Sequence, residues 1–355
     1  MPKKVVVAMS GGVDSSVAAA LLKKQGFQVM GVFMRFWLAR RSLGEGGFER
    51  WNRCCSLEAE QRARAVARVI GIPFYVFNFE KEFKKRIVDR FLAEHKAGLT
   101  PNPCIYCNKE IKFGLLLEKS LALGAKYVAT GHYARLRQGS GGQVRLLRGE
   151  DTNKDQSYFL WRLNQQQLSH VLFPVGGYKK PYVRALAKKF KLPAAETPES
   201  QEICFVPDTI NEFLQSYFKP KKGKIINAAG KVLGEHQGLV FYTIGQRKGI
   251  MVPQGPYWVK DKDFKKNVLI VTKNEKDLLK KELFFNNANW LSGKPPKFPL
   301  KATAKIRYRA KLTPAIVYKN QRAVFGHPQR AVTPGQSIVF YRGQELLGGG
   351  VISRG

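Results

Sequence analysis

The chain has 355 residues, 44% of them hydrophobic, which suits two or three globular domains and exceeds one small core. Its 61 lysines and arginines against 26 acidic residues leave a formal net charge of +35, which points to a polyanionic partner and sets nucleic acid ahead of a merely solvated basic surface. No apolar run could cross a bilayer and the one after Lys3-Lys4 is too short for an export signal, so a cytoplasmic protein with no membrane partner is expected.

In chain order, Val5–Met9 reads as a strand buried on both faces, Ser15–Gln25 as a helix stopped by Gly26, and Gln28–Phe36 as the next strand. Ala39–Cys55, rich in Gly and Arg, reads as a mobile surface loop. Leu57–Ile70 has helical spacing with stop signals at Gly71 and Pro73. Strand Phe74–Phe79, helix Glu80–Ala97, helix Asn108–Leu123 and strand Lys126–Thr130 continue the alternation. This rhythm predicts an α/β domain with a parallel sheet wrapped by helices.

Gly139–Gly142 reads as a hairpin turn. Near residue 205 the style changes, and the Gly-rich stretch Gly223–Gly238 suggests a small central domain. From about Asn286, short β runs alternate with turn signals at Lys301–Arg307, Ala315–Tyr318, Ala323–Phe325, Ser337–Tyr341 and Leu346–Ile352, which predicts a terminal β-barrel. The expected division is 1–208, 209–278 and 279–355.

Ser10-Gly-Gly-Val-Asp-Ser-Ser16 directly follows a buried-type strand and opens a helix. Gly11 and Gly12 allow a tight turn that brings backbone N–H groups against phosphate oxygens. Ser15 and Ser16 stand at the helix N-terminus, where free N–H groups and the dipole favour an anion. Asp14 is placed to hold Mg²⁺ beside the phosphates. The lysine of the mononucleotide P-loop is missing, so the loop suits gripping a pyrophosphate leaving group. The segment resembles the PP-loop of the ATP pyrophosphatases, which implies ATP as cosubstrate and adenylation of an oxygen with release of pyrophosphate.

The five cysteines are Cys54, Cys55, Cys104, Cys107 and Cys204. An odd count without an export signal argues against a disulfide framework and for thiol or metal chemistry. Pro101 and Pro103 stiffen the approach to Cys104 and Cys107, whose Cys-x-x-Cys spacing brings two sulfurs to one site on or just before a helix. Cys204 lies on a separate stretch, where spacing alone does not separate an active thiol from a small apolar side chain. Cys54-Cys55, adjacent in the Gly- and Arg-rich loop, reads as a spectator pair.

The two motifs together closely resemble the tRNA-specific 2-thiouridylase family, and the match runs nearly the whole length. It includes SGGVDSS (Ser10–Ser16), NRCCS (Asn52–Ser56), LTPNPCIYCNKEIKF (Leu99–Phe113), ATGHYAR (Ala129–Arg135), KDQSYFL (Lys154–Leu160), ICF (Ile203–Phe205), GEHQGL (Gly234–Leu239), YTIGQRKG (Tyr242–Gly249), RYR (Arg307–Arg309) and PGQSIVFY (Pro334–Tyr341). The family implies adenylation of the C2 oxygen of the anticodon wobble uridine, sulfur brought by a persulfide-carrying donor protein, and departure of AMP to leave 2-thiouridine. It implies that ATP is held by Ala8, Met9, Ser10, Gly11, Gly12, Val13, Asp14 and Ser15, by the backbone at Met34, and by Gly131. Asn102, Pro103 and Cys104 match positions that meet the target base. His132, Lys154, Asp155, Gln156, Arg307, Tyr308 and Gln336 match tRNA-contacting positions in the anticodon stem-loop complex. Cys107 matches the nucleophile and Cys204 the persulfide carrier.

Each carried-over residue also has a structural reading: a satisfied loop histidine for His132, a surface ion pair for Lys154-Asp155, the charged outward face of a strand for Arg307, the end of a turn for Gln336. The chain departs from many family members at Cys104, where they have Asp as the general base; a thiol with pKa near ~8.5 is a poor substitute at neutral pH. Two arrangements stay open for the Cys-x-x-Cys form. In one, Cys204 carries the persulfide and Cys107 resolves it through a disulfide. In the other, Cys104, Cys107 and Cys204 ligate a [4Fe-4S] cluster with one open iron. The alternative enzyme class, a PP-loop ligase adenylating a small carboxylate or amide, leaves the charge and the Cys-x-x-Cys unexplained.

Overall fold

The computed structural model describes residues 2–44, 47–51, 56–198, 203–207 and 209–354. Cys54, Cys55 and most of the NRCCS motif lie outside the described residues. The first unit opens with β1 (Lys4–Ala8), α1 (Val13–Lys24) and β2 (Gln28–Arg35). Val5, Val6 and Val7 are fully buried, as a strand covered on both faces requires. Next come β3 (Ala39–Gly44) and β4 (Gly47–Trp51), an antiparallel hairpin in register Ala39↔Trp51 where a loop was expected. Helix α2 (Leu57–Ile70) keeps its expected bounds because both caps are local: the Ser56 hydroxyl accepts from Ala59 N, and Gly71 closes the end in the left-handed region.

After β5 (Phe74–Asn78), the expected helix Glu80–Ala97 is broken into α3 (Glu80–Phe83), a π-helical turn Lys84–Val88 and α4 (Asp89–Lys96). The following helix starts earlier than expected, with α5 (Pro103–Tyr106), a π-helix Cys107–Leu115 and α6 (Leu116–Ala122). Pro103 at the first position suits a helix start, since its missing N–H would be unpaired there anyway. Strands β6 (Tyr127–Ala129), β7 (Ala134–Gln138) and β8 (Val144–Arg148) precede α7 (Gln165–Leu168), β9 (Val171–Leu172) and α8 (Lys180–Lys189).

The main sheet is parallel throughout, in the order β5-β2-β1-β6-β9. The strand order reverses between β1 and β6, and a crevice at such a switch point, at the carboxyl ends of the strands, is where open α/β sheets bind ligands. The loops leaving β1 and β6 are Met9–Gly12 and Thr130–Tyr133.

Helix α9 (Ile210–Gln215) leads into a small four-stranded sheet of β10 (Gly223–Asn227), β11 (Val232–His236), β12 (Trp258–Asp263) and β13 (Val268–Thr272). The last unit comprises β14 (Leu279–Trp290), β15 (Leu300–Lys305), β16 (Thr313–Val317), β17 (Arg322–Arg330), β18 (Ser337–Arg342) and β19 (Glu345–Ile352). These six close into a barrel through the β14–β19 pairing, and the β7–β8 hairpin extends its sheet at Leu147↔Glu345. Arg307 sits with Tyr308 in the loop after β15 and not on the strand expected to include it. Among the described residues no helix is long and apolar enough to cross a membrane.

The first unit and the barrel share buried polar contacts. Tyr158 donates to the Ser337 carbonyl at 2.8 Å, Trp161 Nε1 to Ser337 Oγ at 3.1 Å, and Ser157 Oγ lies 3.2 Å from the Tyr341 hydroxyl.

Candidate active site

The nucleotide loop is shaped by its glycines and closed by its own hydroxyls. Gly11 has φ +73°, a conformation L side chains rarely adopt, and a Cβ there would strike the carbonyl of Ala59 on α2. Ser15 Oγ and Ser16 Oγ donate to Gly12 O at 3.1 and 2.9 Å, and Ser10 N donates to Ser15 Oγ at 3.2 Å. Gly12, at the N-cap of α1, supplies no side chain to its first N–H groups, and Ser10 beside it is exposed. Ala8, Met9 and Val13 are buried beneath it. Met34 is buried near the end of β2, and Met9 N bonds to Val32 O there at 2.8 Å.

The β6 loop presses on this one. A Cβ on Gly131 would lie 2.6 Å from Ser15 N and 2.7 Å from the carbonyl carbon of Asp14, so only glycine fits. Two residues later, Tyr133 donates its hydroxyl to Asp14 Oδ1 at 2.8 Å. Asp14 is also held by Lys180, whose Nζ lies 2.7 and 2.8 Å from the two carboxylate oxygens. Neither contact was expected from the sequence. Tyr133 lay inside the quoted GHYAR string, and Lys180 carried a faint signal: a helix opening on Lys179-Lys180-Pro181 sets cations at the unfavourable end of its dipole.

Between these contacts, His132 is buried against Phe113 and Phe173, with ring centroids 5.9 Å from each. Its Nδ1 lies 2.7 Å from Thr130 Oγ1. Burial, with Lys112 nearby, pushes its pKa well below that of an ordinary histidine, so the ring is neutral. His132 thus links the nucleotide loop to the cysteine helix, since Phe113 belongs to the π-helix that Cys107 opens.

Cys104 is half-buried in α5 and Cys107 is buried one turn on. The π-helix that follows frees backbone carbonyls, and Gln167 takes them up: its amide donates to Lys109 O at 3.1 Å and Phe113 O at 2.6 Å. Asn108, next to Cys107, is buried and donates to Phe159 O at 3.2 Å, while its Oδ1 meets no donor among the described residues. Tyr106 is packed between the guanidinium groups of Arg90 and Arg162, at 4.3 and 4.7 Å, which fixes the turn carrying both cysteines. Asn102 precedes α5 as its N-terminal cap residue.

Cys204 is half-buried and precedes Phe205, whose ring sits among Phe83, Phe91 and Phe213 at 5.8, 5.4 and 5.6 Å. The described residues contain no group of three His, Cys, Asp or Glu side chains arranged to hold a metal ion. Cys104, Cys107 and Cys204 are all among the described residues, and theirs are the thiolates a [4Fe-4S] cluster would use.

Asp155 is not part of a surface ion pair. It is buried, accepts from Gly149 N and Ser157 N at 3.0 and 3.1 Å, and pairs with Arg148 at 3.0 Å. Gln156 accepts from Tyr133 N at 3.0 Å and so braces the residue that holds Asp14, while Lys154 is half-buried on the same turn. Tyr308 lies over Phe159, centroids 4.5 Å apart. Exposed Arg307 lines a cleft of about 430 Å³ with Arg309, Lys311 and Arg330. Gln336 does not simply finish a turn: its amide donates to Thr100 O at 2.8 Å, on the loop that leads to Cys104.

Family models cover this chain in three consecutive pieces: a tRNA methyl transferase HUP domain over residues 3–208, a tRNA methyl transferase PRC-barrel domain over 211–273, and an aminomethyltransferase β-barrel domain over 280–352. A tRNA-specific 2-thiouridylase MnmA 2 of Thermoanaerobacter sp. (strain X514) is 48% identical over 362 residues, covering 99% of this chain and 98% of that protein. The chain belongs to the tRNA-specific 2-thiouridylase family. Other 2-thiouridylases are nearly as similar across their length. That of Geobacter metallireducens is 47% identical with 99% of this chain and 96% of its own covered, and that of Streptococcus mutans serotype c is 45% identical with 98% and 95% covered.

Proposed function

We propose that this 2-thiouridylase-family chain is a tRNA-uridine 2-sulfurtransferase that uses ATP to convert the wobble uridine of the tRNA anticodon to 2-thiouridine, in the cytoplasm. The observation that carries the reading is the turn Gly131–Tyr133. It touches the nucleotide loop through Gly131 and Tyr133 and the cysteine helix through His132, so one rigid element sets the two halves of the reaction side by side.

The N–H groups at the start of α1, which Gly12 does not cap with a side chain, and the Gly11-Gly12 backbone suit the phosphates of ATP. Asp14, one-third exposed, is the group to hold Mg²⁺, which would neutralise charge on the departing pyrophosphate. The uracil O2 attacks the α-phosphorus, the bond to pyrophosphate breaks with its electron pair, and the N3 proton is lost. The terminal sulfur of a persulfide on Cys204 then attacks C2, and AMP leaves with the former O2. Cys107 thiolate attacks Cys204 Sγ, freeing the thiolated base and leaving a Cys107–Cys204 disulfide for a cellular thiol to reduce. This route uses Cys107 and Cys204; in the cluster alternative Cys104, Cys107 and Cys204 would hold the irons. A donor protein restores the persulfide.

Asn102, Pro103 and Cys104, ahead of the buried Cys107, are assigned to the flipped base, since a base must leave the anticodon stack to meet both reagents. Exposed Arg307, with its basic cleft, is assigned to tRNA phosphates, and Tyr308 and Lys154 to the same strand. Buried His132 and Asp155 and half-buried Gln156 serve tRNA binding by shaping the surface around them. We place domain boundaries at 208/209 and 278/279, beside the starts of α9 and β14. A small-carboxylate ligase would leave the +35 charge without a use. The reading is tested by pyrophosphate release from ATP with and without unmodified tRNA: release that requires tRNA supports it, and equal release without tRNA overturns it.

A further inference from the structure

The nucleotide loop lacks, in its own sequence, the lysine that mononucleotide P-loops use against phosphate charge. The fold brings one from 166 residues away. Lys180 Nζ reaches both oxygens of Asp14 at 2.7 and 2.8 Å, and the Lys180 side chain is only 7% exposed. The neighbouring elements fix it there. Lys180 N donates to Asp151 Oδ2 at 2.9 Å, α8 packs along α1, and the Tyr133 ring lies 5.7 Å from the ammonium.

Fold stability gives a poor account of this arrangement. Buried lysines are rare, a buried ion pair often stabilises no more than a well-packed apolar pair would, and a cation in the first turn opposes the dipole of α8. Placement beside the phosphate-binding turn gives a better one. Asp14 borders the turn that would take the triphosphate, and Lys180, bonded to both of its oxygens, sets a cation beside it and fixes its direction. Lys180 bonds both carboxylate oxygens and Tyr133 also bonds Oδ1, so the plane of the carboxylate beside the turn is fixed from two sides.

We propose that Lys180 is a positioning residue for adenylation, acting through Asp14 to hold the loop's carboxylate oriented toward the magnesium-bound pyrophosphate of ATP. This rests on the function proposed above. Bond changes are those of adenylation: the Pα–O bond breaks and the pair leaves with pyrophosphate.

The experiment measures tRNA-dependent pyrophosphate release as a function of ATP and of Mg²⁺, with protection from thermal unfolding by Mg·ATP as a second readout. Lys180→Met should slow release at saturating ATP by roughly 10- to 100-fold and raise the Mg²⁺ needed for half-maximal rate, and Lys180→Arg should recover part of both. Lys179→Met, exposed and one residue away, is the folding control. A folded Lys180→Met protein with release within threefold of wild type and an unchanged Mg²⁺ requirement overturns the proposal. If Lys180→Met does not fold, Asp14→Asn is compared with Asp14→Asn/Lys180→Met, which leaves no buried lone charge. A further loss of no more than threefold supports action through Asp14, and a further loss of tenfold or more contradicts it. Wild-type protein that releases no pyrophosphate with tRNA would instead overturn the function proposed above, and Mg·ATP protection still reads Lys180 in that case.

Discussion

Gln336, on the turn that opens β18 of the barrel, donates its side-chain amide to the carbonyl of Thr100, two residues ahead of Asn102 on the cysteine loop. The contact is reinforced by Thr100 N bonding to Pro334 O at 2.9 Å and by Gly335, whose missing Cβ would lie 2.8 Å from Thr100 N. The small central domain reaches the same residue, with Thr243 Oγ1 3.4 Å from Thr100 Oγ1. The segment that presents Cys104 and Cys107 is therefore held by all three parts of the chain.

Gln336→Ala should leave Thr100 O without this donor and loosen the cysteine loop by about 1 kcal/mol. Thiolation at saturating tRNA should fall several-fold while the affinity for ATP, bound on the far side of His132, stays within twofold. Steady-state kinetics with both substrates varied separates the two; equal damage to both would show that the contact is a general stability element.

Gly131→Ala should abolish ATP binding without unfolding the sheet, because a Cβ at that position collides with the backbone of Asp14 and Ser15. Calorimetric titration with Mg·ATP checks this, and affinity within threefold of wild type would contradict the placement of the β6 loop.

Cys204→Ala and Cys107→Ser should each lose 2-thiouridine formation yet keep tRNA-dependent pyrophosphate release, since adenylation precedes sulfur transfer. Protein freed of iron by a chelator and supplied with a persulfide donor should retain full activity. Loss of activity that returns only on rebuilding an iron–sulfur cluster would overturn the persulfide route.

Affinity for tRNA should fall on the order of 1,000-fold between about 50 and about 200 mM salt if six or more phosphates are neutralised. Arg307→Ala should reduce the slope of log affinity against log salt by about 1. A salt-insensitive complex would contradict the role given to the basic excess.

His95 is buried on α4, and burial, with the Lys262 ammonium nearby, lowers its pKa from 6.5 to about 4. The unfolded chain therefore binds the extra proton first as pH falls. The stability tied to a neutral His95 is complete above pH 6.5 and is lost progressively toward pH 4, by roughly 3 kcal/mol in all. His95→Leu should unfold with a shallower loss of melting temperature between pH 7 and 4.5, and an unchanged profile would contradict this. His132, also held neutral by burial, adds to the same limb with the same sign.

The sequence made the nucleotide loop and the parallel sheet legible because their signals are local: a buried apolar run, two glycines, then a helix start. The cysteine turn was readable for the same reason. The β3–β4 hairpin was missed because its Gly- and Arg-rich segment shows no alternation of apolar residues. Strand β14 was mostly missed because its outward face is Lys, Glu and Asn, with Leu283 and Phe285 as its buried anchors. Lys180 and Gln336 were beyond local reading, since each acts on a partner more than 160 residues away. The alternative of a surface ion pair at Lys154-Asp155 fails because the fold turns Asp155 inward onto Arg148 and the backbone of Gly149 and Ser157.

The decisive measurement is nucleoside mass analysis of unmodified tRNA incubated anaerobically with the intact protein, ATP, Mg²⁺ and a persulfide source. The structure predicts 2-thiouridine at the wobble position, formed only when ATP is present. Folded protein that binds ATP and tRNA yet leaves the wobble uridine unthiolated would contradict it.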